Sequence, residues 1–248
     1  MERKRAFVRF GDFLFKWRNQ LFPVVVLALF LGFRPAITLL GSALLDAIRD
    51  GLGLGLVIAG LALRFATIGW AYIKRGGHQK RVHADTLVGE GYFALSRNPL
   101  YVGNMAVYAG LFVMHGNPWA MVLGIGGFYL FYRAIIAAEE HFLSGKFGAD
   151  YAAYCRDVPR WWPDFPRHAE AVQGMRFSLD RSLTKDYTTI ANALIALIIL
   201  RLLEAHAAGG GAAVMDLLPL AGAGVAAVAL IALVIRRHKK RMMGAPPA

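Results

Sequence analysis

Cysteine is nearly absent from this 248-residue chain: Cys155 stands alone. A single thiol excludes an intramolecular disulfide and leaves a zinc cluster within one chain without the thiolates it needs. It is compatible with a reducing compartment without establishing one. Charge is sparse at 18% of residues, and acidic charge is sparser still, with 16 Asp and Glu against 28 Lys and Arg. No Gly-x-x-x-x-Gly-Lys-Ser/Thr segment occurs, which argues against a phosphate-cradling ATPase. No small-residue cleavage pattern follows the first apolar stretch closely; Arg34-Pro35 stands there instead, so the stretch reads as an uncleaved anchor rather than a signal peptide.

What the chain does have is apolar surface and positive charge. Hydrophobic residues make up 57% of it, yet the net charge is +12 and the pI is near 10.1. A soluble domain this apolar is hard to keep dispersed, and a nucleic-acid binder usually spreads its charge over a more polar sequence. A bilayer accommodates both facts, with apolar spans in lipid and cations at anionic headgroups.

The apolar runs mark the spans. Residues 51–72 contain one charge, Arg64, and residues 118–138 contain one, Arg133. Residues 187–206 carry Arg201 and Glu204 near their end, and 214–235 carry only Asp216 near their start. Each is close to the ~20 residues that a helix needs to cross ~30 Å of hydrocarbon. Two runs are shorter, 100–114 and 20–33; the second could continue past Pro35 through 36–48 as a kinked helix. The fold class expected is all-α: a polytopic membrane bundle of about six transmembrane helices. Segments 1–19, 73–99, 139–186 and 236–248 then lie on one side and hold 23 of the 28 Lys and Arg. The positive-inside rule makes that side cytoplasmic, with both termini on it, in a bacterial-type cytoplasmic membrane.

Other signals have plainer readings. Phe7, Phe10, Phe13, Leu14, Phe15 and Trp17 among the cations of the leader suggest an interfacial amphipathic helix. Gly51, Gly53 and Gly55 imitate a dinucleotide loop, but they open a membrane helix rather than follow a strand. Gly51, Gly55 and Ala59, at four-residue spacing, predict a close helix contact. His78 and His83 have no metal-binding spacing and read as part of a solvated basic loop. The run from Arg236 to Arg241 is a topology anchor at headgroups rather than an RNA contact, so neither nucleic acid nor metal is an expected partner.

Two segments carry chemistry. In the first, Ser96-Arg97-Asn98-Pro99 enters a span. Pro99 suits the first helical position, Ser96 or Asn98 can cap, and the helix start attracts a carboxylate or phosphate. Arg97 adds a cation able to grip a carboxylate through two hydrogen bonds. Leu100, Tyr101 and Asn104 belong to the first turns, and Gly89, Gly91 and Gly103 permit close approach. In the second, Glu139 and Glu140 end a span. Adjacent helical positions point about 100° apart, so one of the two is expected to face inward, with Arg97 as partner. An amphipathic stretch, 142–154, is expected to lie on the surface and cap a pocket, followed by Val158-Pro159-Arg160 and the interfacial pair Trp161-Trp162.

These residues resemble the isoprenylcysteine carboxyl methyltransferase and phospholipid methyltransferase superfamily. The upstream likeness lies in Gly91-Tyr92 and in Arg97-Asn98-Pro99-Leu100-Tyr101-Val102-Gly103. The downstream likeness is Glu139-Glu140 with Leu143, then Phe147-Gly148, Tyr151, Tyr154 and Val158-Pro159-Arg160. It covers roughly residues 52–163. Glu90 stands where proline is usual and Asn98 where histidine is common, which leaves the acceptor open.

The resemblance implies an integral membrane enzyme that uses S-adenosylmethionine, with residues 51–165 as its core. Residues 1–50 would be leader and first span, and 166–248 a cytoplasmic linker and two further spans. Arg97, Glu140 and Glu139 would be catalytic. Gly91, Tyr92, Arg97, Asn98, Pro99, Leu100, Tyr101, Gly103, Asn104, Glu140, Phe147 and Tyr151 would hold the donor, with Tyr92, Tyr101 or Phe147 at its adenine. Arg64 and Arg160 would bind a lipophilic acceptor entering from the bilayer: a prenylcysteine-type carboxylate or related terpenoid, a phospholipid amine, or a small thiol. An anionic acceptor needs only orientation, whereas an amine needs a base such as Glu140. The rival classes are a non-enzymatic scaffold or transporter-like protein and a lipid reductase of similar topology.

Overall fold

A computed structural model describes residues 2–71 and 84–244. The loop containing His78 and His83 lies outside the described residues. Among those described, the chain is helical without strands. The helices are α1 (Glu2–Gly32), α2 (Ala43–Trp70), α3 (Pro99–His115), α4 (Pro118–Asp157), the short α5 (His168–Ala171) and α6 (Leu179–Gly244). Four of them, α1, α2, α4 and α6, are long and apolar enough to cross a membrane, whereas α3 has 17 residues. The all-α membrane bundle expected from the sequence is thus present.

Local chemistry sets the helix ends. Ser42 caps α2, its Oγ accepting from the Leu45 N–H at 3.4 Å. Gly116 takes the left-handed conformation (φ 73°) that ends α3. Asn117 then caps α4 through the N–H groups of Trp119 and Ala120, with Pro118 at the first helical position. Gly148 (φ 50°) kinks α4, and Gly210 (φ 68°) divides α6 into two arms, 179–209 and 211–244. The arms run back along each other: Gly224 approaches Ile198, and His238 lies 2.6 Å from Asp180.

Three expectations change. The leader and the first apolar run form one helix, α1, whose Leu14, Phe15, Phe22, Val26 and Phe30 are buried in the core. The chain does not continue from it as a kinked helix; residues 33–42 are irregular, and α2 starts at Ala43. The close glycine contact exists on another face. Gly51 and Gly55 have nothing near them, and Ala59 is exposed. Gly53 meets the backbone of Gly110 instead, and Gly60 meets that of Gly103, so seven-residue spacing on both helices brings α2 and α3 together.

This contact matters because lipid gives no hydrophobic reward for helix association; packing and polar contacts must supply it. Aromatic packing joins α1 to α4. Phe22 sits among Phe128, Phe131 and Tyr132 at ring distances of 5.1, 5.8 and 5.6 Å. A buried ion pair joins α6 to α2. Arg64 donates through Nε to Asp186 at 3.1 Å and through a second nitrogen to the other carboxylate oxygen. The remaining guanidinium contacts are Asn104 Oδ1 at 2.8 Å, the Leu100 carbonyl at 3.3 Å and Thr189 Oγ1 at 3.2 Å.

These contacts also sort the connections. Residues 33–36, 115–117 and 207 meet at one end, where Ala36 N donates to the His115 carbonyl and Arg34 to that of Ala207. Residues 90–98 and 158–178 gather at the other.

Two outcomes should follow. Ala substituted at Gly60 or Gly103 should destabilise the protein by roughly 1–3 kcal/mol through overpacking, whereas Ala at Gly51 or Gly55 should not; thermal unfolding in detergent reads the difference. Asp186→Ala, which strands a buried guanidinium, should cost roughly 3–5 kcal/mol, and Arg64→Met with Asp186→Leu should recover much of that loss.

Candidate functional site

The second bundle end is held by a backbone latch. The Arg97 N–H donates to the Pro159 carbonyl at 2.8 Å, Ser96 Oγ to that of Trp161 at 2.8 Å, and Asn98 Nδ2 to that of Arg160 at 2.9 Å. The Asp164 N–H returns a bond to the Leu95 carbonyl at 3.0 Å. The two sequence segments therefore form one structure. Neither Ser96 nor Asn98 caps α3 with its side chain, as the sequence had suggested: both are used in the latch, and only the Asn98 carbonyl serves the first turn. Tyr154 adds a bond from its hydroxyl to the Phe93 carbonyl at 2.8 Å.

The latch sets three charged groups together. Arg97 reaches Glu140 Oε1 at 3.2 Å, and Arg160 Nε reaches the same oxygen at 2.8 Å while its other nitrogen bonds Oε2. The hydrogen bond from Arg160 to Glu140 raises the arginine's pKa further. Arg97 also lies 2.9 Å from Cys155 Sγ, and its Nε is buried without a partner. Glu139 has a separate environment: Tyr101 donates its hydroxyl to Oε1 at 2.8 Å and accepts from Arg18 of α1 at 3.2 Å.

Both glutamates line a single cavity of about 1000 Å³, so the expectation that only one faces inward is corrected. Different partners draw adjacent side chains to the same space. Arg64, Arg97, Asn98, Leu100, Tyr101, Asn104 and Tyr151 also line it, as do Leu143, before the Gly148 kink of α4, and Tyr154, after it. Six of the expected residues do not. Gly91 is buried against Trp70 and Ala71, and Tyr92 packs against His168, where burial raises its pKa. Pro99 and Gly103 are buried in helix packing, and Phe147 lies beside Lys146. Arg160 reaches the cavity only through Glu140. Arg64, expected to meet substrate as a cation, has its charge answered by Asp186.

Sequence reasoning missed Arg18, Lys16 and Asn19 on α1, Asp186 behind the cavity wall, and Thr188, Thr189 and Asn192 on α6. The polar run in an otherwise apolar span is the one signal that could have found the α6 group. Among the described residues no cluster of three metal-ligating side chains occurs.

Ser96→Ala with Asn98→Ala should release the segment around residues 159–161. We expect faster proteolysis there and a loss of roughly 1 kcal/mol per bond, measured by limited digestion and thermal unfolding.

The geometry agrees with what the chain resembles. Residues 48–150 match the family model for phospholipid methyltransferase. The chain is 32% identical over 110 residues to the cobalt-zinc-cadmium resistance protein CzcN of Cupriavidus metallidurans, covering 44% of this chain and 49% of that protein. It is 30% identical, with the same coverage, to the nickel-cobalt-cadmium resistance protein NccN of Alcaligenes xylosoxydans xylosoxydans. It is 32% identical over 119 residues to protein-S-isoprenylcysteine O-methyltransferase B of Arabidopsis thaliana, covering 45% of this chain and 57% of that one. The chain thus spans about half the length of the curated relatives it matches. No solved structure matches. Over residues 48–150 the chain is thus similar to the superfamily that includes the phospholipid and isoprenylcysteine carboxyl methyltransferases.

Proposed function

We propose that this chain is an S-adenosylmethionine-dependent methyltransferase that modifies a lipophilic acceptor held in the bilayer. One observation carries the reading: a single cavity runs from the Arg97–Glu140–Arg160 cluster to walls formed by Phe22, Val26, Phe30, Leu111 and Ile199. Charge at one end and apolar surface at the other suit a water-soluble donor and a lipid-soluble acceptor.

The donor set fits the cofactor. Glu139 and Glu140 suit its ammonium and sulfonium, Arg97 and Arg18 its carboxylate, and Tyr101, Tyr151 or Tyr154 its adenine. About 1000 Å³ is at the upper end of the range for small-molecule sites, which leaves room for a second reactant. When bound, S-adenosylmethionine supplies an electrophilic methyl group on a sulfonium. The protein's own task is then positioning and charge placement.

Arg97 and Arg160 engage both oxygens of Glu140, which leaves it poorly placed to reach the proton of an acceptor. A carboxylate or thiolate acceptor needs no base and would be oriented by Arg97 or Arg18. An amine acceptor would lose its proton to Glu139, which receives one hydroxyl from Tyr101 rather than two guanidinium groups. A prenylcysteine-type carboxylate or related terpenoid leads, followed by a phospholipid amine. The site end faces the cytoplasm in this reading, because the segments gathered there are the basic ones.

Titration of the purified chain with S-adenosylhomocysteine should give saturable micromolar binding; silence would favour a non-enzymatic scaffold. Incubation with radiolabelled donor and a total lipid extract should then label one lipid class. Arg97→Ala and Glu140→Ala should each lower transfer roughly 100-fold or more while the protein stays inserted. Unchanged turnover in both would remove the site assignment.

A further inference from the structure

The cavity has walls that the family segment does not supply. On one side lies α1, with Phe22, Val26 and Phe30; on the other lies the first arm of α6. Along α6 the lining changes character. Thr188, Thr189 and Asn192 come first, and Ala193, Ala196 and Ile199 follow on the same face at helical spacing. From Asn192 to Ile199 the helix rises about 10 Å.

The polar part of this stripe cannot serve a negative charge. Arg64, the cation beside it, uses all five of its N–H groups on Asp186, Asn104, Leu100 and Thr189. Its charge is balanced by Asp186, so an anion placed there would gain little. Asn192 differs. It is exposed, lines the cavity, and makes no hydrogen bond among the described residues. Its amide is therefore open to a group that enters the cavity. Asn19 on α1 is in the same condition. A ligand with a neutral hydrogen-bonding group suits such amides, which both donate and accept.

We propose that α1 and the first arm of α6 form the acceptor channel. In it, Asn192 grips a neutral ester, amide or hydroxyl group of the acceptor, and its apolar tail lies along Ala193, Ala196 and Ile199 against Phe22, Val26 and Phe30. This rests on the methyltransferase reading above. It narrows the acceptor class to amphiphiles with an uncharged polar group between the reacting atom and the tail. Asn192 is then a specificity residue, and helices outside the matched segment choose the substrate.

The test uses the full chain in nanodiscs and two photoactivatable probes with the same diazirine-bearing tail: a monoacylglycerol and a fatty acid. The monoacylglycerol should label peptides from residues 15–30 and 188–199 more strongly than the fatty acid does. Asn192→Leu should reduce that labelling about fivefold, the worth of one hydrogen bond, and Asn192→Gln should restore part of it. Affinity for S-adenosylhomocysteine should be unchanged in both variants. Labelling that ignores Asn192→Leu, or that prefers the fatty acid at these peptides, overturns the proposal. A weakened S-adenosylhomocysteine affinity in Asn192→Leu also overturns it, because Asn192 would then belong to the donor. Labelling sensitive to Asn192 in a chain that binds no S-adenosylhomocysteine would support the channel and sink the methyltransferase reading alone.

Discussion

Arg64 is a charge placed within an apolar helix, and burying it unpaired would be strongly destabilising. Its partner comes from 122 residues away, where Asp186 presents both carboxylate oxygens. Asn104, Leu100 and Thr189 complete the set, so a single guanidinium specifies how α2, α3 and α6 sit together. The glycine contacts of α2 with α3 permit this geometry, since a Cβ at Gly103 would collide with the Arg64 stem. With α6 fixed in that position, its polar stripe must face the cavity. The cavity wall is thus a consequence of an electrostatic debt settled nearby.

At the bundle end the same logic operates with more water. Arg97, Arg160 and Glu140 carry one net positive charge between them and are only partly buried. The latch from Ser96 and Asn98 keeps residues 159–161 against the start of α3, so the two arginines meet one carboxylate from different directions. Glu139, one residue earlier, has a tyrosine instead. Two neighbouring carboxylates thereby receive different chemistry from their surroundings rather than from their own type.

Much of this was legible in the sequence. The apolar runs marked the helices, and the motifs at 97–103 and 139–160 met as their charge complementarity required. What was hidden depended on distant partners. Nothing near Asp186 announces a deep arginine, and nothing near Arg18 announces Tyr101, 83 residues on. The glycine contact was misplaced because four-residue spacing was taken as the sign, whereas seven-residue spacing gave the contacting face. The rule that adjacent helical residues diverge failed at Glu139 and Glu140 because their long side chains bend toward separate partners.

The cavity draws its walls from α1, α3, α4 and α6, which together span almost the whole chain. Arg18 and Phe22 of α1 share that cavity with Thr189 and Asn192 of α6, so the enclosure is complete only when these two helices, far apart in the chain, are both packed. A form in which the first arm of α6 has not docked would therefore lack one wall of the cavity and leave its polar groups open to the surroundings.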